Sequence, residues 1–165
     1  MGSGDQAEGG GLVLLMDNMF ETRRASRHML EQRGLEVVQA SNGMAGLELV
    51  QRLPQSFRFV LVDLDLPGLP SAVVLETLRL FRPELPVLCM GEAHAAAAAG
   101  CLTKPLREEE LVAHLSAAVG SASRWVHPAG PRSEDAVARA RARFAVIGDL
   151  VEAALELARG LPEES

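Results

Sequence analysis

The sequence has 165 residues, of which 48% are hydrophobic, and its 22 acidic and 16 basic side chains give a net charge of −6. This hydrophobic content suits a packed core and excludes wholesale disorder, while the acidic balance argues against a protein that coats nucleic acid. No apolar run reaches the roughly 18 residues of a membrane span, and no signal peptide is seen, so we expect a cytoplasmic protein without membrane contact. Cys89 and Cys101 lie in apolar stretches and are predicted to be buried, reduced thiols rather than a disulfide.

Composition and periodicity divide the chain into four parts. Residues 1–11 lack apolar periodicity and are predicted to be a flexible N-terminal segment. Over residues 12–119, short apolar runs alternate with amphipathic stretches, which is typical of one domain of strands and helices. Residues 120–132 are rich in Gly, Ser and Pro and indicate a linker, and residues 133–160 predict a C-terminal amphipathic helix.

Five apolar runs in the domain have the character of strands buried on both faces. These strands are predicted at residues 12–16, 36–40, 57–63, 86–90 and 101–103. Helices are predicted at about 20–33, 44–53, 71–82 (with Ser71 as its N-cap) and 108–119, and residues 95–99 give at most a stub of helix. Strands and helices that alternate through short loops imply right-handed crossovers, and therefore a parallel sheet with helices on both faces.

Polar residues follow several of these strands. Asp17 and Asn18 follow the first strand, Asp63 ends the third, Gly91 follows the fourth and Lys104 follows the fifth. Because the carboxyl ends of parallel strands meet at one edge of a sheet, these residues are expected close together. Two carboxylates repel each other unless a cation joins them, and Mg²⁺ suits such oxygen ligands. Asp63 is then a candidate nucleophile toward phosphorus, with Lys104 to neutralise a phosphoryl oxygen; the alternative is that these are solvated charges at strand ends.

Four segments carry a resemblance to a known family. These segments are LVLLMDN at 12–18, FVLVDLDLPG at 59–68, PVLCM at 86–90 and TKPL at 103–106. Together they resemble a response-regulator receiver domain, and the resemblance covers residues 12–119. It implies a doubly wound, five-stranded parallel sheet of order 2-1-3-4-5. It also implies two-component signalling, with a histidine kinase or phosphotransfer protein as partner and output through protein–protein contacts.

The resemblance also implies roles for individual residues. Asp63 matches the phosphoacceptor, and Lys104 would contact the phosphoryl group. Asp17 and Asn18 occupy the positions of the acidic pair that holds Mg²⁺, and Asp65 would offer its backbone carbonyl to the metal. Asp63 would complete the metal site with its carboxylate.

The chain also departs from the family pattern, which indicates an atypical member. Asn18 replaces the second acid and is expected to weaken Mg²⁺ binding. Gly91 replaces the Ser or Thr whose hydroxyl reaches the phosphoryl group, and Cys101 replaces the usual aromatic switch residue. Lys104 follows Gly91 by only 13 positions, so a shortened fourth helix is predicted.

Two other functions remain open. The departures are compatible with a pseudo-receiver that acts as an interaction scaffold without phosphorylation. Asp63 and Asp65 after an apolar strand also resemble the first motif of haloacid-dehalogenase-type phosphatases, but Leu66 replaces the usual Thr or Val and the motif follows the third strand rather than the first.

The C-terminal helix carries a wide apolar stripe. Ser133 is a candidate N-cap and Gly160 a candidate stop, and the stripe between them follows a spacing of three and four residues. Such a helix is marginal alone in water, so its apolar face must be covered. It could fold back on its own domain, where the fourth helix is short, or pair with a second chain; symmetric pairing favours a homodimer.

Overall fold

The computed structural model describes residues 11–53, 57–92, 101–120 and 134–160. The strands in these ranges are β1 (Leu12–Met16), β2 (Glu36–Ala40), β3 (Phe57–Asp63), β4 (Val87–Gly91) and β5 (Leu102–Thr103). The helices in them are α1 (Phe20–Gln32), α2 (Gly43–Arg52), α3 (Ser71–Phe81), α4 (Glu108–Gly120), α5 (Glu134–Ile147) and α6 (Leu150–Arg159). Four predictions fall wholly or partly outside the described residues. They are the flexible start (1–10 of the predicted 1–11), the stub of helix over 95–99 in the shortened fourth helix, the linker (121–132 of the predicted 120–132) and the candidate N-cap Ser133.

The five strands form one sheet in the order β2-β1-β3-β4-β5, and each neighbouring pair is parallel. This confirms the predicted doubly wound architecture. The central strands β1 and β3 are buried almost throughout, which explains why their sequences are continuous apolar runs rather than alternating ones. All strands run the same way, so their carboxyl ends share one edge of the sheet.

Alternate side chains of the central strands point into two separate cores, one on each face of the sheet. The first core joins Val13 and Leu15 of β1 to Leu30 of α1 and Leu111 of α4. The second core contains Leu14 of β1 together with residues of α2 and α3. Helices therefore cover both faces, as the alternating pattern predicts.

The C-terminal segment differs from the single helix that its periodicity predicts. Two helices, α5 and α6, are separated by Gly148, whose φ of +68° is left-handed, and by Asp149. The Asp149 side chain accepts hydrogen bonds from the amides of Val151 and Glu152 and so caps α6. A glycine in the left-handed region followed by a good N-cap ends one helix and begins the next.

These two helices, which we call the C-terminal hairpin, pack against α2 and α3. Leu150 and Leu157 are fully buried in the second core, and the Leu150 amide donates a hydrogen bond to Oε1 of Gln51 at 2.6 Å. The rings of Phe144 and Phe81 stack with their centroids 4.4 Å apart. Among the described residues, α2 and α3 thus cover part of the apolar stripe, whereas Val146 and Ile147 stay exposed. A homodimer stays a prediction.

The two cysteines correct an expectation from the sequence. Cys89 in β4 and Cys101 immediately before β5 are joined by a disulfide, with their Cα atoms 4.9 Å apart. The prediction of reduced thiols is therefore wrong. It treated each cysteine by its apolar surroundings, whereas the pairing of β4 with β5 brings the two residues within the Cα–Cα range of disulfides.

No helix among the described residues is long and apolar enough to cross a membrane.

Candidate functional site

Asp17, Asp63 and Lys104 come together at the carboxyl edge of the sheet. The Lys104 ammonium Nζ lies 2.7 Å from Oδ2 of Asp63 and 3.7 Å from Oδ1 of Asp17. Neither carboxylate residue has any exposed surface, and Lys104 is only 7% exposed. These are therefore not the solvated strand-end charges of the alternative interpretation.

Asp17 is held by the turn that leads from β1 into α1. Its carboxylate accepts hydrogen bonds from the Met19 amide at 2.9 Å and from the Thr22 hydroxyl at 2.7 Å. The Arg23 guanidinium donates to the Asp17 carbonyl at 2.9 Å. Asp17 thus stabilises the start of α1 as well as facing Lys104. The sequence did not indicate Thr22 or Arg23, because their contact with Asp17 depends on the path of this turn.

Asp63 ends β3 and is held from three sides. The Asp65 amide donates to its Oδ1 at 3.0 Å, and Lys104 donates to its Oδ2 at 2.7 Å. The Ser71 hydroxyl donates to the Asp63 carbonyl at 2.6 Å. Ser71 is therefore not the N-cap of α3: that position belongs to Pro70, and the Ser71 side chain turns back toward the end of β3 instead. The first turn of α3 is in this way tied directly to Asp63.

Lys104 follows the two-residue strand β5 at the end of the sheet. Its amide donates to the Gly91 carbonyl at 2.8 Å, and the Thr103 amide donates to a carboxylate oxygen of Glu110 in α4 at 2.6 Å. Lys104 is also the only lysine in the sequence. A compact ammonium on a flexible stem reaches between two carboxylates where a broad guanidinium would not fit as readily.

The charged groups in this cluster shift one another's pKa values. Burial raises the pKa of Asp63, and the neighbouring Asp17 raises it further, while the hydrogen bond from Lys104 lowers it. Burial lowers the pKa of Lys104, but its hydrogen bond to Asp63 and the charges of Asp63 and Asp17 outweigh that effect, so the net pKa is raised. Lys104 therefore stays protonated at neutral pH and keeps the two buried carboxylates together.

The oxygen donors at this edge suit a hard divalent cation such as Mg²⁺. Asp17 and Asp63 both face the Lys104 ammonium, so their carboxylates already share one positive charge. Asn18 and Asp65 are exposed beside them, at the outer rim of the cluster. In the described part of the chain, no group of three or more His, Cys, Asp and Glu side chains has a metal-binding arrangement. The donor set is thus two carboxylates, with amide and carbonyl oxygens as the remaining candidates.

Gly91 has a neighbour that the sequence did not indicate. A Cβ atom on this residue would lie 2.9 Å from Cδ1 of Leu64, which is closer than ordinary contact. Leu64 follows Asp63 directly, and its amide donates to the Met90 carbonyl at 2.8 Å. The space in which a side chain at position 91 would begin is therefore occupied by the Leu64 side chain.

The sheet is parallel with the order 2-1-3-4-5, and its carboxyl edge holds a buried Asp–Lys–Asp cluster. This combination is that of a receiver domain. The family model of the response regulator receiver domain matches residues 13–116. The chain belongs to this family, whose members are modules of two-component signal transduction. The C-terminal hairpin lies beyond the matched residues.

Curated relatives and solved structures agree with this assignment. The chain is 31% identical over 113 residues to the transcriptional regulatory protein CpxR homolog of Haemophilus influenzae, covering 64% of this chain and 48% of that protein. It is 27% identical over 116 residues to the cell cycle transcriptional regulator CtrA of Caulobacter vibrioides, covering 65% and 49%. The chain thus spans about half the length of these relatives. A receiver domain structure from Clostridium thermocellum shares the fold, with a TM-score of 0.58, 22% identity and coverage of 67% and 94%.

Proposed function

We propose that this chain accepts a phosphoryl group on Asp63 from a histidine kinase or phosphotransfer protein, and that its output is a change in protein–protein contacts. The observation that carries the proposal is the 2.7 Å hydrogen bond between the Lys104 ammonium and the buried Asp63 carboxylate. An aspartate of this kind is fixed in position and has a cation ready beside it. We further propose a cytoplasmic location, as suits such partners.

In the proposed reaction, a bond forms between an Asp63 carboxylate oxygen and phosphorus while the bond from phosphorus to the donor breaks. Lys104 then moves its hydrogen bond from the carboxylate to a phosphoryl oxygen and compensates the added negative charge. Mg²⁺, held by Asp17, Asp63, the carbonyl of Asp65 and Asn18, would supply further charge compensation. Asn18 offers an oxygen without a charge, so we expect the affinity for Mg²⁺ to be lower than with an acid at this position.

Treatment of the full chain with acetyl phosphate and Mg²⁺ tests this function. We expect mass spectrometry to show one added phosphoryl group and to locate it on Asp63. Asp63→Asn should abolish the label. Asp135→Asn is the matched control, because Asp135 is an exposed aspartate of α5 that has no part in the cluster. A label that persists in Asp63→Asn would contradict the proposal.

A pseudo-receiver scaffold is the second candidate, and the Leu64 side chain favours it. Cδ1 of Leu64 would lie 2.9 Å from a Cβ at position 91, so a Ser or Thr side chain there would require the Leu64 side chain to shift. Absence of any label, together with absence of Mg²⁺ binding in calorimetry, would support the scaffold.

The remote phosphatase alternative predicts a different outcome. It requires the Asp65 carboxylate to act as an acid, so turnover of p-nitrophenyl phosphate with Mg²⁺ that is lost in Asp65→Asn would support it. We expect no such turnover.

A further inference from the structure

The disulfide between Cys89 and Cys101 lies next to the acidic site, although neither cysteine belongs to it. Cys89 pairs in the sheet with Val62, which directly precedes Asp63. Cys101 lies three positions before Lys104, and both cysteines are buried, with 3% and 6% of their surface exposed. The sulfurs therefore join the strand beside Asp63 to the segment that carries Lys104.

The backbone that holds Lys104 has few other anchors. Strand β5 has only two residues, Leu102 and Thr103, and it pairs with β4 at the end of the sheet. Beyond this pairing, the Lys104 amide is held by the Gly91 carbonyl and the Thr103 amide by Glu110. A disulfide at the start of so short a strand restricts the motion of the backbone of β5 and of Lys104, which follows it.

We propose that Cys89 and Cys101 are a reversible redox pair whose oxidation fixes Lys104 beside Asp63 and whose reduction loosens it. The inference rests on the proposed phosphoryl transfer for its signalling consequence, but its structural part stands on the position of β5 alone. The oxidised protein accepts the phosphoryl group faster, because Lys104 is already placed to compensate the charge. The reduced protein accepts it more slowly.

Opening the disulfide requires a reductant, here a dithiol, and closing it again requires an oxidant, here a hydroperoxide. A dithiol attacks one sulfur through its thiolate, forms a mixed disulfide, and is released as its own disulfide when its second thiol attacks. The protein gains two electrons and two protons as two thiols in this exchange. A hydroperoxide reverses it: one thiolate attacks the peroxide, giving a sulfenic acid and releasing water or an alcohol, and the second thiol then condenses with the sulfenic acid and releases water.

Burial of both sulfurs means that these reagents reach them only when the edge of the sheet opens. The two-residue strand β5 is the element best able to open, since in the described part of the sheet it pairs with β4 alone. Disulfides in reducing compartments are usually transient and sense redox state, which fits such a site better than a permanent crosslink.

The test compares the full chain after treatment with hydrogen peroxide and after treatment with dithiothreitol without denaturant. Alkylation followed by mass spectrometry counts the free thiols, and amide hydrogen exchange follows the Lys104 amide. We expect no free thiols after peroxide and two after dithiothreitol, with exchange at Lys104 about tenfold faster in the reduced protein. Exchange in β1 should be the same in both states, because β1 pairs with β2 and β3 and with neither β4 nor β5, which the disulfide joins.

A variant without the disulfide serves as the control. The variant Cys101→Ala cannot form the disulfide, so its Lys104 amide should exchange as in the reduced parent and should not respond to peroxide. If that variant fails to fold, the reduced parent still provides the comparison. A disulfide that resists dithiothreitol in the native protein, or equal exchange at Lys104 in both states, would overturn the redox proposal.

Phosphorylation by acetyl phosphate in both states separates this inference from the proposed function. Faster exchange on reduction, with no label on Asp63 in either state, would support the redox pair and refute phosphoryl acceptance. Equal labelling rates with equal exchange would refute the redox pair and leave phosphoryl acceptance intact. We expect the reduced protein to be labelled severalfold more slowly than the oxidised protein. In Cys101→Ala this difference between the two treatments should disappear.

Discussion

Lys104 is the residue on which the balance of charge in the site depends. Asp17 and Asp63 have no exposed surface, and the ammonium of Lys104 is within 4 Å of both. A buried pair of this kind contributes little net stability compared with apolar packing, but removal of one partner leaves the other charge buried and uncompensated. The sequence predicted that these three residues meet, because strand order alone brings the strand ends together. It did not predict Leu64 or Ser71, whose contacts depend on how the loop after β3 turns.

Lys104→Met should destabilise the protein by about 3–5 kcal/mol at neutral pH in the presence of a chelator, because two carboxylates are left without a cation. Burial already raises the pKa of Asp63, and without the ammonium that pKa also loses the hydrogen bond and the charge that lower it, so it rises further. When the pKa of a carboxyl is higher in the folded than in the unfolded state, the free energy of unfolding increases as the pH falls. The raised pKa of Lys104 in the parent changes stability only in the alkaline range. The deficit of the variant should therefore shrink as the pH falls from neutral into the acidic range where Asp63 takes up its proton.

Urea unfolding across this pH range measures the effect. Arg27→Met is the matched control, since the ion pair of Arg27 with Glu31 is half-exposed and should contribute less than about 1 kcal/mol at any pH. A deficit for Lys104→Met that stays constant with pH would show that lost packing, not charge, is the cause.

At the scale of elements, the receiver core follows its sequence closely and the C-terminal hairpin does not. The strand β3 and the start of α3 lie where the apolar runs and turn residues place them, and β4 is displaced by one residue. A glycine such as Gly148 within a continuous apolar stripe is compatible with either one helix or two. The break itself is local, because Gly148 takes a left-handed φ and Asp149 caps the helix that follows, and the apolar spacing alone does not show it. The disulfide was missed for a different reason, because only the pairing of β4 with β5 brings the two cysteines together.

Phe144→Ala tests the docking of the hairpin. The ring stacks on Phe81 and lies under the guanidinium of Arg82, 6.0 Å from the ring centroid. Loss of these contacts from a partly buried position should lower the free energy of unfolding by about 2–3 kcal/mol. Val146→Ala on the same helix is the matched control, because Val146 is 85% exposed and should change stability by less than about 0.5 kcal/mol. Equal effects in chemical unfolding would mean that the hairpin does not rest on α3 in solution.

At the scale of the whole molecule, the position of the hairpin determines whether the apolar surface of the C-terminal segment is buried within one chain or between two chains. Much of the stripe that favours a homodimer in the sequence is covered here by α2 and α3 of the same chain, while Val146 and Ile147 are exposed. Ser71 links the first turn of α3 to the Asp63 carbonyl, so the hairpin rests on a helix that is in direct contact with the site.

Sedimentation of the full chain at micromolar concentration distinguishes the two arrangements. Docking within one chain predicts a monomer, and truncation after Gly120 should then lower stability, because it exposes the apolar face of α2 and α3. A dimer that becomes a monomer on truncation would instead mean that the C-terminal segment pairs with the same segment of a second chain, as the homodimer prediction holds.

The position of Lys104 has a practical consequence for anyone who handles this protein. It carries the only side-chain primary amine in the sequence, and all other basic side chains are arginines or histidines. In the folded protein this amine is 7% exposed and engaged by Asp63, so reagents that acylate amines should modify it slowly. The rate at which Lys104 is acylated then reports how often the carboxyl edge of the sheet opens. The sequence therefore carries its own reaction site for such a measurement at the centre of the acidic cluster, and no lysine has to be introduced.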